Sequence, residues 1–196
     1  NMDKPLGYAV GNAVEVREAA EILQKGGDEE LTELCLELAA NMLCIAGLGS
    51  LENCRKTAER KLKNGDAFET FAKMVSAHGG DVSYVENPDK LVLGKFSRDV
   101  TGDESGYIVG MNCEGYGLAS LALGAGRNKK DDVIDPGAGI VVRKKTGDYV
   151  NKNDVVATLF SSSEEKLDAA EKILKSALKT GDNPPPYVPI ILGRVK

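Results

Sequence analysis

The chain of 196 residues carries 25 Lys and Arg against 30 Asp and Glu, a single His and no Trp, with 42% hydrophobic and 28% charged residues. That composition is ordinary for a folded globular protein and excludes intrinsic disorder. The net charge of -5 gives no basic footprint for nucleic acid, and no apolar run approaches the roughly 20 residues that a membrane-spanning helix needs. The acidic excess lies in residues 1–90, with 10 basic against 16 acidic side chains, whereas 91–196 hold 15 and 14. This change of character places a boundary near residue 90.

In chain order, a Pro- and Gly-containing opening, 1–11, leads into four predicted helices. Ala13, Val16, Ala20 and Leu23 recur every three or four residues up to Gly26-Gly27. A second helix starts at about Asp28, carries Leu31, Leu34, Cys35, Leu38, Met42 and Ile45 on one stripe, and ends at Gly47. Ser50 can cap a third, closed by Asn64-Gly65, and Asp66 followed by Glu69 is a capping-box pattern for a fourth, ended by Gly79-Gly80. The period then changes. Strands are expected at Leu93–Thr101 and Tyr107–Asn112 around a Ser105-Gly106 turn, and at Ile140–Lys145 and Val155–Phe160 around Gly147-Asp148. Short and long helices are expected at Tyr116–Gly124 and Glu164–Lys179, and a last strand at Tyr187–Val195 after three prolines. The fold class is therefore α+β, with helices over 1–90 and mixed elements over 91–196.

The candidates for chemistry are few. In the opening loop, exposed carbonyls and a following carboxylate would suit a hard cation; the same acids, Glu15 and Glu18, could equally offset the helix macrodipole. Gly115-x-Gly117 and Gly124-Ala125-Gly126 could suggest a phosphate cradle. The second run follows a helix, though, so it reads as a C-cap. His78 has no sequence-adjacent nucleophile, and Cys35, Cys44, Cys54 and Cys113 lack zinc spacing and read as reduced, structural thiols, Cys35 and Cys54 on apolar faces. Asp131-Asp132 and Glu164-Glu165 read as solvated charge at turns and helix starts. The run from Gly139 to Leu159 has the rhythm of half a lipoyl- or biotinyl-type sandwich, but without a lysine at a hairpin tip. No signal peptide is found. Asn1 before Met2 is expected to mark either a cut chain or a tag remnant.

The segment Asp3-Lys4-Pro5-Leu6-Gly7-Tyr8-Ala9-Val10-Gly11-Asn12-Ala13-Val14-Glu15-Val16 closely resembles a signature segment of the pyrimidine-nucleoside phosphorylases and thymidine phosphorylase. The likeness continues at Asp28–Leu38, Ala77–Asp81, Ser105-Gly106-Tyr107, Leu123-Gly124-Ala125-Gly126-Arg127, Asp131–Asp135 and Gly139-Ile140-Val141, and so covers essentially the whole chain. Gly11-Asn12-Ala13 favours this branch over the archaeal nucleotide-cleaving phosphorylases, whose loop differs here.

The resemblance implies a cytoplasmic, homodimeric enzyme that cleaves uridine- or thymidine-type nucleosides with inorganic phosphate as co-substrate. It implies that 1–90 is the helical tail of an α/β phosphate-binding domain. Residues 91–196 would be a small C-terminal α+β domain resembling a lipoyl-like β-sandwich hybrid. The family's Lys-His-Ser-Thr-Gly-Gly phosphate run and its base-holding Arg, Ser and Lys find no match in these residues, and His78 stands where relatives usually carry Gln. No catalytic or cofactor-binding residue therefore carries over, and inactivity of these residues alone is expected. One site does carry over. A potassium ion beside the family's phosphate loop takes carbonyls matching Leu6 and Ala9 and a carboxylate matching Glu18; the rest of its ligands belong to that loop, so weak or no occupancy is expected. The rival readings are a non-catalytic binding or scaffold module of the same ancestry and, more remotely, a lipoyl- or biotinyl carrier.

Overall fold

The computed structural model describes residues 1–195 and divides into two units: Val16–Lys90, and residues 1–15 together with the chain from Leu91 on. The sequence reading groups residues 1–15 with the helices. Contacts place them with the sheets instead, because Ala9–Gly11 forms a strand, β1, that pairs antiparallel with Gly139–Val142, β4. Three residues are too few for periodicity to reveal, and the partner lies far along the chain.

The helical unit holds most of α1 (Ala13–Lys25), then α2 (Glu29–Ile45), α3 (Leu51–Lys63), α4 (Asp66–Ala77), the single turn α5 (Ser83–Glu86) and a tighter turn at Pro88–Lys90. Helix starts follow local chemistry. The Asp28 carboxylate accepts the Leu31 N–H at 2.6 Å and the Ser50 hydroxyl accepts the Asn53 N–H at 3.3 Å, each satisfying a donor that the first helical turn leaves unpaired. Asp66 departs from the expected capping box. It is the first helical residue, and the cap position falls to Gly65, which has no side chain to offer and sits at φ +86°. The Asp66 carboxylate turns to Lys61 (2.5 Å) and Asn64 (3.1 Å), whose hydrogen bonds hold it below the usual carboxylate range. Arg55 of α3 forks onto Glu33 of α2 at 2.9 and 2.5 Å and reaches Glu59 at 3.1 Å. Gln24 donates to the Val85 carbonyl at 2.6 Å, tying α1 to α5.

Burial in this unit is thin. Ala20, Ala40, Cys54 and Val85 are buried, whereas Leu38, Met42, Ile45, Leu48 and Met74 remain exposed. Cys35, expected on an apolar face, is exposed as well. A cavity of about 530 Å³ opens among Leu23, Leu31, Leu36, Leu43, Leu62 and Ala67.

The sheet unit contains two antiparallel sheets. One runs β1-β4-β6-β2, with β2 at Phe96–Thr101 and β6 at Val155–Ser161; the other runs β5-β3-β7, with β3 at Gly106–Met111, β5 at Tyr149–Val150 and β7 at Leu178–Gly181. The expected hairpin at Ser105-Gly106 is thereby corrected. β2 pairs with β6 and β3 with β5 and β7, so the link carries the chain from one sheet to the other. Tyr107 and Tyr149, directly opposite, meet edge to face at 5.0 Å and mark the β3–β5 register. Around Gly147-Asp148, the Asp148 carboxylate accepts the Lys145 N–H at 2.8 Å.

Two helices complete this unit, α6 (Cys113–Leu123), capped by the Asn112 side chain, and α7 (Glu165–Ala177). They approach closely at Gly115, where an added Cβ would lie 2.5 Å from the Ala177 Cβ. The continuous core runs from Val100 to Ala177 and includes the fully buried Ile108, Tyr116, Leu123, Ile140 and Leu159. The architecture is α+β. The strand expected at Tyr187–Val195 is absent: after the prolines the chain runs without regular structure to residue 195, and a proline-rich lead with Pro189 inside the segment withholds the N–H groups a ladder needs.

Candidate functional site

The opening loop is held by several polar contacts. Tyr8 accepts the Val142 N–H at 2.7 Å, which makes Tyr8 and Val10 the positions bonded to β4. Alternation in an antiparallel pair then directs the Ala9 N–H and C=O away from β4, and β1 is the outer strand of its sheet. Ala13 N–H donates to the Pro136 carbonyl at 3.0 Å, and the Gly11 N–H donates to Glu15 Oε1 at 2.8 Å. Glu15 thus reaches back over the start of α1, as an acid in the first turn can. Gly11 is required by close approach, since a Cβ there would sit 2.7 Å from the Ala138 carbonyl oxygen. The Lys145 ammonium, on a side chain only 7% exposed, lies 4.2 Å from the centre of the Tyr8 ring, a cation–π contact.

The three residues expected to hold a cation are distributed as follows. Leu6 lies in a bend and is exposed, Ala9 is in β1 and buried, and both belong to the sheet unit. Glu18 is on α1, three residues after Glu15, in the part assigned to the helical unit. As ligand types, two carbonyls and a carboxylate form a hard, all-oxygen donor set. Among the described residues there is no cluster of three or more His, Cys, Asp or Glu able to hold a metal ion.

The other motifs resolve into structural roles. Gly124 is the left-handed C-cap of α6 at φ +107°, its N–H bonded to the Leu121 carbonyl at 3.0 Å, so Gly124-Ala125-Gly126 closes a helix and presents no cradle of free N–H groups. Gly115 is the helix-crossing residue described above. His78 is the exposed C-cap of α4. A small cleft of about 250 Å³ near Asp103, Glu104, Tyr116, Lys175 and Thr180 has its lysine engaged, with Lys175 on Asp103 at 2.8 Å and on Glu171 at 3.6 Å. Burial pushes the Tyr116 phenol well above its usual range and the Cys113 thiol upward too, which keeps both protonated.

Two side-chain bonds at the loop are not foreshadowed in the sequence. Ser120 is buried in the otherwise apolar α6 and donates to the Val10 carbonyl at 3.2 Å; Asn12 Nδ2 donates to the Ala125 carbonyl at 2.7 Å. A buried Ser in an apolar helix was the available signal for the first. Nothing in the sequence pairs Asn12 with a residue 113 positions away.

Comparison with known proteins matches residues 107–181 to the family described as pyrimidine nucleoside phosphorylase C-terminal domain. The chain is 40% identical over 177 residues to the pyrimidine-nucleoside phosphorylase of Geobacillus stearothermophilus, covering 90% of this chain and 41% of that protein. It is 38% identical over 174 residues to that of Bacillus subtilis (88% and 40%) and 34% identical over 184 residues to that of Staphylococcus aureus (93% and 42%). The chain therefore spans about two fifths of the length of the curated relatives it matches.

Proposed function

This chain belongs to the pyrimidine-nucleoside phosphorylase family as its C-terminal part, and from that premise we propose that it serves a pentosyltransferase acting on uridine- or thymidine-type nucleosides. The observation that carries the proposal is the run of 174–177 residues aligned with the Bacillus and Geobacillus enzymes at 38–40% identity. In the reaction a phosphate oxygen forms a bond to C1′ of the pentose as the bond from C1′ to the base nitrogen breaks. The bonding pair leaves with the base, which is then protonated, and the products are free base and (deoxy)ribose 1-phosphate. Such a reaction is driven by positioning and by electrostatic stabilisation of the charge that builds on the sugar and the departing base. The working enzyme is a cytoplasmic homodimer.

Residues 1–90 would contribute the tail of the phosphate-binding domain, with 1–15 of that tail packed on the small C-terminal domain formed by 91–196. These 196 residues contain no Lys-His-Ser-Thr-Gly-Gly run, and by themselves they turn over no nucleoside. Their direct share in the chemistry is a potassium site. The Leu6 and Ala9 carbonyls and the Glu18 carboxylate would hold the ion, which when bound supplies positive charge beside the phosphate. With only part of its ligand set here, the ion is held weakly.

The test is a graft of these residues onto the remaining three fifths of the Geobacillus relative, assayed with uridine or thymidine and phosphate. The folded graft should release base only when phosphate is present, while the 196 residues alone match the blank. A graft that folds by circular dichroism yet releases no base overturns the proposal, and base release by the 196 residues alone overturns their inactivity. Rubidium-soaked crystals of the graft should show anomalous density at the Leu6 and Ala9 carbonyls; its absence there would remove the cation site.

A further inference from the structure

Three motifs that the reaction leaves without a role meet at one joint in the sheet unit. Gly11-Asn12-Ala13 lies at the end of β1. Gly124-Ala125-Gly126 closes α6, and Gly139-Ile140-Val141 begins β4. The Asn12 side chain bonds the Ala125 carbonyl at 2.7 Å, and the Ser120 hydroxyl bonds the Val10 carbonyl at 3.2 Å. Gly11 and Gly139 are opposed in the register and leave no room for a Cβ on either strand. A serine inside a helix ordinarily bonds the carbonyl one turn back. Ser120, only 5% exposed, reaches out of α6 to the strand. Two side-chain bonds thus fix the loop on either side of Gly11, over and above the β1–β4 ladder.

We propose that Asn12 and Ser120 are positioning residues that make the C-terminal domain the brace of the cation loop. They set the Val10 and Asn12 backbone, and through it the direction of the neighbouring Ala9 carbonyl; this assignment rests on the potassium reading above. A ligating carbonyl must be held to within about 0.5 Å of its working position. Partners that orient ligands from behind typically change metal affinity about 10- to 100-fold when removed. The loop itself reaches β4 through the three-residue β1 and the Tyr8 carbonyl, at a sheet edge, where a ladder alone frays.

Hydrogen exchange on the intact chain tests this, comparing Asn12→Ala, Ser120→Ala and Ser120→Thr with the parent, in choline chloride and in potassium chloride at equal ionic strength. In choline chloride, amides of Tyr8–Ala13 should exchange about fivefold to tenfold faster in the two alanine variants, as expected for the loss of one hydrogen bond. Amides of Ile140 and Leu159 should be unchanged, and Ser120→Thr should return the loop to the parent's rate. Loop exchange equal to the parent's in both alanine variants overturns the proposal, as does equal acceleration at Ile140 and Leu159, which marks a general loss of stability. Potassium should slow loop exchange in the parent and do so at about tenfold higher concentration in Asn12→Ala. A parent indifferent to potassium, with the variants still faster, overturns the cation reading and leaves the brace standing.

Discussion

Both units contain helices, and the two bury them to different degrees. The sheet unit closes a continuous core between Val100 and Ala177, with α6 and α7 packed so closely that only Gly115 fits at their crossing. The helical unit has well-formed caps and an ion-pair fork at Arg55, yet it buries chiefly small residues and leaves Leu38, Met42 and Ile45 exposed. Caps and exposed pairs typically contribute about 1 kcal/mol or less each, whereas burying a large apolar side chain contributes about 1.5–3 kcal/mol. The lesson is that helices can be specified locally without being anchored globally. The opening loop is tied to the unit that has the core.

The largest effect expected from this contrast is Leu159→Ala in the sheet unit. It should cost about 2–5 kcal/mol in urea unfolding, since Leu159 is fully buried. Met42→Ala in the helical unit should change stability by less than about 0.5 kcal/mol, because Met42 is 65% exposed, and a large loss there would erase the contrast. Gly11→Ala should cost about 1–3 kcal/mol, as the added Cβ meets the Ala138 backbone 2.7 Å away. Alkaline titration should separate the units further. Burial raises the folded-state pKa of Tyr116 above its unfolded value near 10, so the stability from keeping the phenol neutral is full below pH 10 and declines above it. By pH 11 the sheet unit should have lost about 1 kcal/mol, and Tyr116→Phe should abolish that loss in a pH-stability profile. Asp28→Ala should cost about 0.5–1 kcal/mol, expected to appear as faster exchange in α2 alone.

Much of the helical unit was legible because its signals are local: Asp28 and Ser50 cap, and Gly26-Gly27, Asn64-Gly65 and Gly79-Gly80 stop. Asp66 misled because a neighbouring left-handed glycine took the cap position. In the sheet unit strand positions were readable from β-branched runs, but pairing was not. β2 and β3 look like a hairpin in sequence, and their partners are supplied by chain 40 or more residues away. The loop was noticed for its glycines and its resemblance to a known family, while its brace was hidden. Asn12 meets Ala125 and Ser120 meets Val10 across more than 100 residues, a juxtaposition no periodicity records.

The most direct measurement is hydrogen exchange of the whole chain across a urea series, followed at α2, at β6 and at Tyr8–Gly11. The account predicts that α2 loses protection at the lowest urea, β6 at the highest, and that Tyr8–Gly11 follows β6. Loss of protection at Tyr8–Gly11 together with α2, or a single coincident transition for all three, would contradict it.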